Sequence, residues 1–223
     1  MYRYSKRFFD ILSSFTAIII LLPLFIPVVF LLSITSEKEV FYFQERLGLK
    51  NKPFMIYKFA TMLKNSAKMK NGYMTIKNDP RLTFMGGFLR KSKINELPQL
   101  INILKGDMSV VGPRPVMKIS FEAYPENVRK VIYNIKPGLT GIGSIVFRDE
   151  EDLITTEKNR GGDVKIFYRE KIYPFKGSLE LWYQKNQSFL VDLKLIFITA
   201  WVVLFPHSML YEDWFNDLPK RDF

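Results

Sequence analysis

The longest apolar stretch of the sequence lies close to its first residue. From residue 11 to residue 36 the chain runs for 26 residues without a formal charge. A helix of about 20 apolar residues crosses the hydrocarbon core of a bilayer, whereas the apolar region of a cleavable signal peptide has only about 7–15 residues. The pattern therefore predicts a membrane segment over residues 1–36.

The flanks of this segment favour a path that enters and leaves the membrane on the same face. Arg3, Lys6 and Arg7 precede it, and a basic region follows it. Basic flanks prefer the cytoplasmic side, and Pro23 and Pro27 each remove a backbone donor and bend a helix. We therefore expect a re-entrant helix that is broken at a proline. A kinked single span is the alternative.

A second apolar stretch, LIFITAWVVLF over residues 195–205, is too short to span a bilayer. The aromatic residues around it are Trp182, Trp201, Tyr211 and Trp214. Tryptophan and tyrosine concentrate at headgroup depth in membranes. The pattern predicts an interfacial helix near residues 189–205, with a buried core helix as the alternative.

Two short runs of aromatic and β-branched residues predict a β-hairpin after the membrane segment. They are residues 40–43 (VFYF) and 54–57 (FMIY), and the sequence GLKNKP lies between them. Residues 64–80 are basic and polar and contain Asn71-Gly72 and Asp79-Pro80. These dipeptides are typical of turns, so we expect a mobile surface loop there.

The clearest helical pattern of the chain covers residues 96–105. Its apolar residues recur at helical spacing, and they are Leu97, Leu100, Ile101 and Leu104. Asn95 is a residue type that caps helices, Pro98 falls in the first turn, and Gly106 is an expected stop. A further helix is expected around residues 126–135.

Together these elements predict an α+β chain that is mostly helical. A Pro-broken, re-entrant membrane helix occupies residues 1–36, and a cytoplasmic domain with a small β-hairpin occupies residues 37–223. This domain includes the interfacial helix near residues 189–205. Neither the pattern nor the length fixes an oligomeric state.

Composition excludes several kinds of active site. The chain has 223 residues, no cysteine and a single histidine, His207. It therefore lacks the ligands and nucleophiles for a disulfide framework, a cysteine-ligated zinc, a thiol enzyme, a histidine-rich metal site or the usual serine triad. The net charge is +11, and residues 50–118 carry this whole excess, with 14 basic residues and three acidic ones.

The acids of the basic region are candidates for chemistry. They are Asp79, Glu96 and Asp107. Carboxylates among cations suit phosphate chemistry with a divalent metal, because cations neutralise phosphate oxygens while the carboxylate binds Mg²⁺ or attacks phosphorus. Residues 149–152 (DEED) are interpreted as a solvated helix start, with metal binding as the alternative. We expect no nucleic-acid partner, since the sequence has no helix-turn-helix, zinc-finger or RNP motif.

Six segments of the chain resemble the bacterial sugar transferase family, the monotopic polyprenol-phosphate phosphoglycosyl transferases. They are KRFFD (6–10), QERLGL (44–49), KPFMIYKFATM (52–62), NDPRLTFMGGFLRKSKINELPQLINILKGDMSVVGPRP (78–115), KPGLTG (136–141) and WYQKNQSFLVDLKLIFITA (182–200). The resemblance covers nearly the whole chain.

The resemblance implies a function. Enzymes of this family move a sugar-1-phosphate from a UDP-sugar to undecaprenyl phosphate at the cytoplasmic face of the inner membrane, release UMP and so begin a surface glycan. They use Mg²⁺ and a carboxylate that forms a covalent phosphosugar intermediate, and Pro23 stands where the family breaks its re-entrant helix. The residues that stand where the family handles substrate or phosphate are Lys58, Arg90, Glu96, Asp107, Arg114 and Arg148.

The most serious departure from the family pattern is at position 95. The family has an Asp-Glu pair where this chain has Asn95-Glu96, and an amide is not an effective nucleophile toward phosphorus. The covalent step then falls to Glu96 or to Asp107, or gives way to direct transfer with Mg²⁺. If none of these operates, the protein is a catalytically inactive relative that binds polyprenol phosphate or scaffolds glycan enzymes.

We expect Glu96 to take the nucleophile's role. It is the nearest carboxylate, and it lies at a predicted helix N-terminus that would hold it ionised. Asn95 would then cap the helix and offer its carbonyl oxygen to the metal, so that Glu96 and Asn95 are the expected metal ligands.

Overall fold

The computed structural model describes residues 2–35, 37–69, 75 and 79–223, and the fold is mostly helical. The helices are α1 (Tyr2–Ile34), α2 (Gly86–Lys91), α3 (Gln99–Lys105), α4 (Lys118–Glu122), α5 (Glu126–Arg129), α6 (Ile142–Val146), α7 (Glu150–Asn159), α8 (Val164–Phe167), α9 (Tyr173–Asn186), α10 (Phe189–Leu204) and α11 (Leu210–Trp214). The strands are β1 (Phe41–Leu47), β2 (Pro53–Phe59), β3 (Ser109–Val111) and β4 (Gly138–Thr140). Within the predicted loop over residues 64–80, residues 70–74 and 76–78 lie outside the described residues.

Helix α1 lies along the rest of the chain over most of its length. Near its start, Arg7 donates to the carbonyl oxygens of Ile103 and Leu104 at the end of α3, at 2.6 and 2.8 Å. Near its end, Val28 and Leu32 are buried in a cluster shared with β2 and α2. Both ends of α1 therefore pack on the same body.

The interruption of α1 predicted at Pro23 is not present. The helix continues through Pro23 and Pro27, although each proline removes one backbone donor. Packing on both sides offsets this loss, since Leu21 joins a cluster with β2 and α3, and the ring of Phe25 meets that of Phe59 edge to face at 5.8 Å. By length and composition α1 could cross a membrane, and its path there stays a prediction.

Helices α1 and α10 each have one face on the protein and one exposed apolar face. On α10, Asp192, Leu195, Ile198 and Val202 are buried. The large apolar residues exposed on the two helices are Tyr4, Phe8, Ile11, Leu12, Phe15, Ile19, Ile20, Leu22, Ile26, Phe30, Leu31 and Ile34 on α1, and Phe189, Leu190, Leu193, Phe197, Trp201, Val203 and Leu204 on α10. The helix expected near residues 189–205 is thus confirmed, and the core-helix alternative describes only one of its faces. Its placement at a membrane surface stays a prediction.

The predicted β-hairpin is confirmed and is longer than expected. Strands β1 and β2 pair antiparallel, with Phe41 opposite Phe59 at the open end. The buried side chain of Asn102 ties this hairpin to α3, because it accepts from the Tyr57 amide at 3.0 Å and donates to the Met55 carbonyl at 2.7 Å. The hairpin therefore holds β2 against the region that follows α2.

The helix predicted over residues 96–105 begins later than expected, and the capping role predicted for Asn95 is wrong. Residues Ile94–Glu96 form a 3-10 turn, and α3 starts only after Pro98. Lys93, with a left-handed φ of 61°, reverses the chain just before this turn. The predicted stop is confirmed, since Gly106 has a φ of 93° and its N–H bonds to the carbonyls of Asn102 and Ile103.

The short parallel pair β3–β4 joins two loops at close range. Ser109 lies opposite Gly138, and Val111 lies opposite Thr140. A Cβ on Gly112 would lie 2.4 Å from the Lys136 carbonyl oxygen, and one on Gly138 would lie 2.1 Å from the Gly112 nitrogen. Because only glycine allows this approach, the loop VGPRP (111–115) is fixed against KPGLTG (136–141).

The segment that follows α10 folds back over the largest buried cluster, which α6, α9 and α10 share. Tyr211, Phe215 and Leu218 are buried in this cluster. Arg221 then makes two hydrogen bonds to the Asp149 carboxylate, at 3.0 and 2.7 Å. Residues 206–223 are therefore an integral part of the fold and lie against the start of α7.

One buried carboxylate links three helices. Asp192 of α10 receives hydrogen bonds from Lys6 Nζ at 2.6 Å and Tyr2 Oη at 2.8 Å, both on α1. It also accepts from Tyr183 Oη of α9 at 2.6 Å. The Asp192 side chain is only 5% exposed, so its charge depends on these three partners.

Removing this carboxylate is expected to destabilise the protein strongly. Loss of one partner of a buried ion pair costs about 3–5 kcal/mol, which lowers the melting temperature of a chain this long by about 6–20 °C. We expect Asp192→Ala to show such a shift in detergent-solubilised protein. The exposed pair of Glu126 and Lys130 is the matched control, because Glu126→Ala removes a surface ion pair worth about 0–1 kcal/mol. Equal shifts in the two variants would contradict the role of Asp192.

Candidate functional site

A carboxylate held by two cations lies in a large open cleft, whose volume is about 2540 Å³. Glu96 Oε1 accepts from Lys58 Nζ at 2.9 Å and from Arg114 Nη2 at 3.0 Å. The Glu96 and Lys58 side chains are mostly buried, whereas the Arg114 side chain is 43% exposed. Arg114 can therefore reach a ligand in the cleft while it contacts Glu96.

The three residues come from separate parts of the chain. Lys58 is on β2, opposite Tyr42 of β1, and Glu96 ends the 3-10 turn before α3. Arg114 lies in the loop after β3, where its carbonyl accepts from Tyr133 Oη at 2.8 Å. The site thus depends on the hairpin, the turn and the glycine-rich contact between the two loops.

Burial and charge act in opposite directions on Glu96. Burial by itself raises the pKa of its carboxyl, but the charges of Lys58, Arg114 and Lys93 lower that pKa well below its usual range. The charge of Glu96 in turn raises the pKa of Arg114. Glu96 is therefore ionised at neutral pH, and the cause is its ion pairs rather than the helix N-terminus that the sequence predicted.

The cations around Glu96 are crowded. Burial lowers the pKa of Lys58 to about 8, and although Glu96 raises that pKa, Arg114 and Arg46 lower it further. Burial, with Arg114, also lowers the pKa of Arg46 to about 10. The positive charges of these residues exceed the single negative charge of Glu96. This excess favours the binding of an anionic ligand.

Asn95 presents an acceptor without a partner. The residue is 7% exposed and lines the cleft, and its Oδ1 atom is buried with no hydrogen-bond partner among the described residues. A buried amide oxygen of this kind calls for a donor or a cation. Among the described residues no group of three or more His, Asp or Glu could hold a metal. A metal here would therefore rely on Asn95, Glu96, water and ligand phosphates, a set that suits Mg²⁺.

The structure brings some of the sequence-predicted residues together and separates others. Lys58, Asn95, Glu96 and Arg114 line the cleft, as do Arg90 and Arg148. Asp107 is not among the described residues that line it. The Asp107 carboxylate instead lies beyond α3, where Asn102 Nδ2 is at 3.4 Å and Lys105 Nζ at 3.6 Å.

Arg90 and Arg148 are engaged by other parts of the protein. Arg90 Nη2 donates to Glu151 at 3.0 Å and to Thr75 at 3.1 Å. Arg148 donates to the backbone carbonyls of Pro206 and Ser208 in the segment after α10. Neither guanidinium contacts Glu96 in the described residues, so both act at a distance from the ion-paired carboxylate.

A second polar group in the cleft was missed in the sequence. Glu150 Oε1 accepts from Lys176 Nζ at 2.7 Å and from Tyr168 Oη at 2.9 Å. Glu180 is 3% exposed, and burial raises its pKa to about 7. The DEED run was interpreted as a solvated helix start. It does begin α7, but Glu150 is paired with Tyr168 and Lys176, which lie 18 and 26 positions away, and no local sequence signal marks these contacts.

The titration of Lys58 can be tested directly. In metal-free buffer we expect acetylation of Lys58 to increase around pH 8, below the ordinary lysine value of about 10.4, because only the neutral amine reacts. Glu96→Gln should move this midpoint to lower pH, since the charge of Glu96 raises the pKa of Lys58. Peptide mass spectrometry over a pH series measures both midpoints. A midpoint that rises in the variant would contradict the ion pair.

Comparison with known proteins places the chain in a family. Residues 1–206 match the model of the family described as "Bacterial sugar transferase". The chain is 33% identical over 216 residues to a Salmonella typhimurium protein named "Undecaprenyl-phosphate galactose phosphotransferase", and the match covers 91% of this chain and 41% of that protein. The chain thus spans less than half the length of this relative.

Shorter relatives match over most of their length. "Exopolysaccharide production protein ExoY" of Sinorhizobium fredii is 32% identical over 209 residues, which are 87% of this chain and 83% of the relative. "Uncharacterized sugar transferase EpsL" of Bacillus subtilis is 36% identical over 202 residues, which are 89% of this chain and 87% of the relative. The chain therefore belongs to the bacterial sugar transferase family.

Proposed function

We propose that the protein is a phosphoglycosyl transferase that moves a sugar-1-phosphate from a UDP-sugar to undecaprenyl phosphate and releases UMP. In the cell this would be the first membrane step of surface glycan assembly. The observation that carries the proposal is the ionised Glu96 carboxylate between Lys58 and Arg114 in the cleft. The names of two relatives, from Salmonella typhimurium and Aeromonas hydrophila, support undecaprenyl phosphate as the acceptor.

In the proposed mechanism the cations first bind the diphosphate of the donor. Arg114, with its partly exposed guanidinium, and Lys58 neutralise phosphate oxygens and orient the phosphorus that carries the sugar. Arg46 and Lys93, which also line the cleft, add positive charge near them. As phosphate oxygens take over part of these contacts, the Glu96 carboxylate is released toward the phosphorus.

Glu96 then attacks. One of its carboxylate oxygens forms a bond to the sugar-bearing phosphorus, the phosphorus–oxygen bond to UMP breaks, and UMP leaves with the electron pair. An oxygen of undecaprenyl phosphate next attacks the same phosphorus. The acyl phosphate bond breaks, and Glu96 returns as a carboxylate. The low pKa of Glu96 favours both its ionised starting form and its departure.

Among the alternative nucleophiles that the sequence leaves open, Asp107 has the weaker support, because its carboxylate lies outside the cleft with Lys105 and Asn102. Asn95 has no nucleophilic oxygen, but its unpartnered Oδ1 and the Glu96 carboxylate would hold Mg²⁺. When bound, Mg²⁺ would neutralise charge on the diphosphate and the leaving UMP.

The acceptor and the membrane fit the exposed apolar faces of α1 and α10. Both helices are joined at Asp192, and Phe9 of α1 meets Phe189 of α10 edge to face at 5.5 Å. Insertion of these faces into the cytoplasmic leaflet of the inner membrane would bring the cleft to the headgroup of a polyprenol phosphate. We propose a monotopic arrangement in which α1 bends at Pro23 and Pro27 without an interruption and returns to the face it entered, while α10 is interfacial.

The arrangement in the membrane is testable because the chain has no cysteine. We expect Tyr4→Cys and Lys38→Cys, one before and one after the apolar stretch, to react with an impermeant maleimide only in inverted membrane vesicles. The reason is that both flanks are cytoplasmic in a re-entrant helix. Lys130→Cys, on an exposed side chain of the domain, is the control for sidedness. Labelling of one flank in intact spheroplasts would indicate a span instead.

The catalytic role of Glu96 is tested by UMP release from a panel of UDP-sugars with undecaprenyl phosphate and Mg²⁺. We expect Glu96→Gln to lower UMP release by more than about 10²-fold, because it removes the nucleophile. In the wild type, mass spectrometry should find a phosphosugar adduct on the peptide that contains Glu96. Asp107→Asn is the matched control and should keep the adduct. UMP release that survives in Glu96→Gln would overturn the assignment.

The same assay addresses the second candidate function, the inactive relative that binds polyprenol phosphate or scaffolds other enzymes. Asn95 is the observation that favours it. If the wild type releases no UMP with any donor and Asn95→Asp gains activity from zero, the inactive relative is the better description. If the wild type is active, the change in UMP release in Asn95→Asp measures only how positions 95 and 96 divide the catalytic roles.

A further inference from the structure

The cleft continues past Arg114 to the second polar group. The backbone of Arg114 lies close enough to Glu180 to lower the pKa of its carboxyl, while the Arg114 side chain contacts Glu96. Glu180 and Glu96 therefore lie near opposite ends of the same arginine residue, one at its backbone and the other at its guanidinium group. A ligand group attached to a phosphorus at Glu96 would extend into this region.

The second group offers both donors and acceptors. Glu150 accepts from Lys176 and Tyr168, and its side chain remains 26% exposed. Glu180 Oε2 is buried and has no hydrogen-bond partner in the part of the chain that the structure describes, although Glu180 lines the cleft. An amine, a phenol and two carboxylates match the hydroxyl groups of a sugar, because each hydroxyl both donates and accepts. The unpartnered Glu180 oxygen calls for a donor of this kind.

The local backbone and the aromatic rings add to this description. Tyr168 begins the π-helical turn Tyr168–Ile172 between α8 and α9, and such turns are frequent at functional sites. The ring of Tyr173 lies 5.5 Å from that of Tyr168 and 5.2 Å from that of Tyr124. All three tyrosines line the cleft. Apolar ring faces beside hydrogen-bonding groups suit the two kinds of surface that a sugar ring presents.

We propose that Glu150, Tyr168, Lys176 and Glu180 form the subsite that binds the ring hydroxyls of the donor sugar. The inference rests on the proposed function, in which the phosphorus at Glu96 carries the sugar directly. The nucleoside lies one phosphate farther away, so the group next to Arg114 is the sugar rather than the ribose. Tyr168 and Glu180 then determine which sugar is accepted, because a site built to bond a hydroxyl discriminates against a misplaced one.

The test compares epimers. Tyr168→Phe removes one hydroxyl and should lower kcat/KM for the preferred UDP-sugar about tenfold. It should lower kcat/KM for the epimer less, so that the preference within the pairs UDP-glucose/UDP-galactose and UDP-N-acetylglucosamine/UDP-N-acetylgalactosamine shifts at least about fivefold. The KM for undecaprenyl phosphate and inhibition by UMP should not change. Glu180→Gln, which keeps the volume of the side chain, is a second variant if Tyr168→Phe folds poorly.

The control is Tyr57→Phe, which removes a hydroxyl that accepts from Lys105 at 2.9 Å outside the cleft. It should leave the preference unchanged. An equal loss for every UDP-sugar in Tyr168→Phe and Glu180→Gln would indicate a structural role and overturn the subsite. Weaker inhibition by UMP with an unchanged preference would place the ribose there and also overturn it.

Calorimetric binding to detergent-solubilised protein without acceptor separates this inference from the proposed function. If the wild type releases no UMP but binds a UDP-sugar more tightly than UDP, and Tyr168→Phe loses that difference, the subsite stands and the proposed reaction fails. If UDP-sugars and UDP bind the wild type equally, the subsite is overturned whether or not UMP is released.

Discussion

The buried carboxylate of Glu96 sets the main requirement on this fold. A charge in a poorly solvated position is stable only if opposite charges reach it, and Lys58 and Arg114 do so from elements distant in sequence. The hairpin must therefore lie against the turn before α3, and the loop VGPRP must be held by β4 and Tyr133. The Asn102 side chain holds the hairpin against α3, and the close approach of Gly112 to Gly138 holds the loop. The same arrangement leaves positive charge facing the cleft.

Local sequence signals predicted the elements better than their boundaries. The hairpin, the stop at Gly106 and the helix α10 follow from alternation, from glycine at a positive φ and from an apolar run. The start of α3 did not, because apolar spacing is the same whether Asn95 caps an α-helix or lies in a 3-10 turn. The left-handed Lys93 decides between them, and no local pattern marks a lysine in that conformation.

The candidate site was predictable in its residue types and only partly in its partners. The scarcity of acids among the cations pointed to Glu96, and the resemblance pointed to Lys58 and Arg114. The choice between Glu96 and Asp107 as the reacting carboxylate required the structure, since both lie within a few residues of α3. Glu96, before the helix, lines the cleft, whereas the Asp107 carboxylate lies beyond the end of the helix. The pairs of Arg90 with Glu151 and of Glu150 with Lys176 join residues 26 to 61 positions apart. Such contacts depend on tertiary packing, which charge patterning alone does not encode.

The segment after α10 has a consequence for the evolution and the engineering of this protein. The family match ends at residue 206, yet Arg221 lies far beyond it and bonds to Asp149 inside it. The wall of the cleft is therefore completed by sequence that the family pattern does not cover. A chimera that joins residues 1–206 of this chain to the ending of a relative would leave Asp149 without Arg221 and Arg148 without its contact to the Ser208 carbonyl. A chimera boundary chosen from the family match alone would therefore break the contact between Arg221 and Asp149.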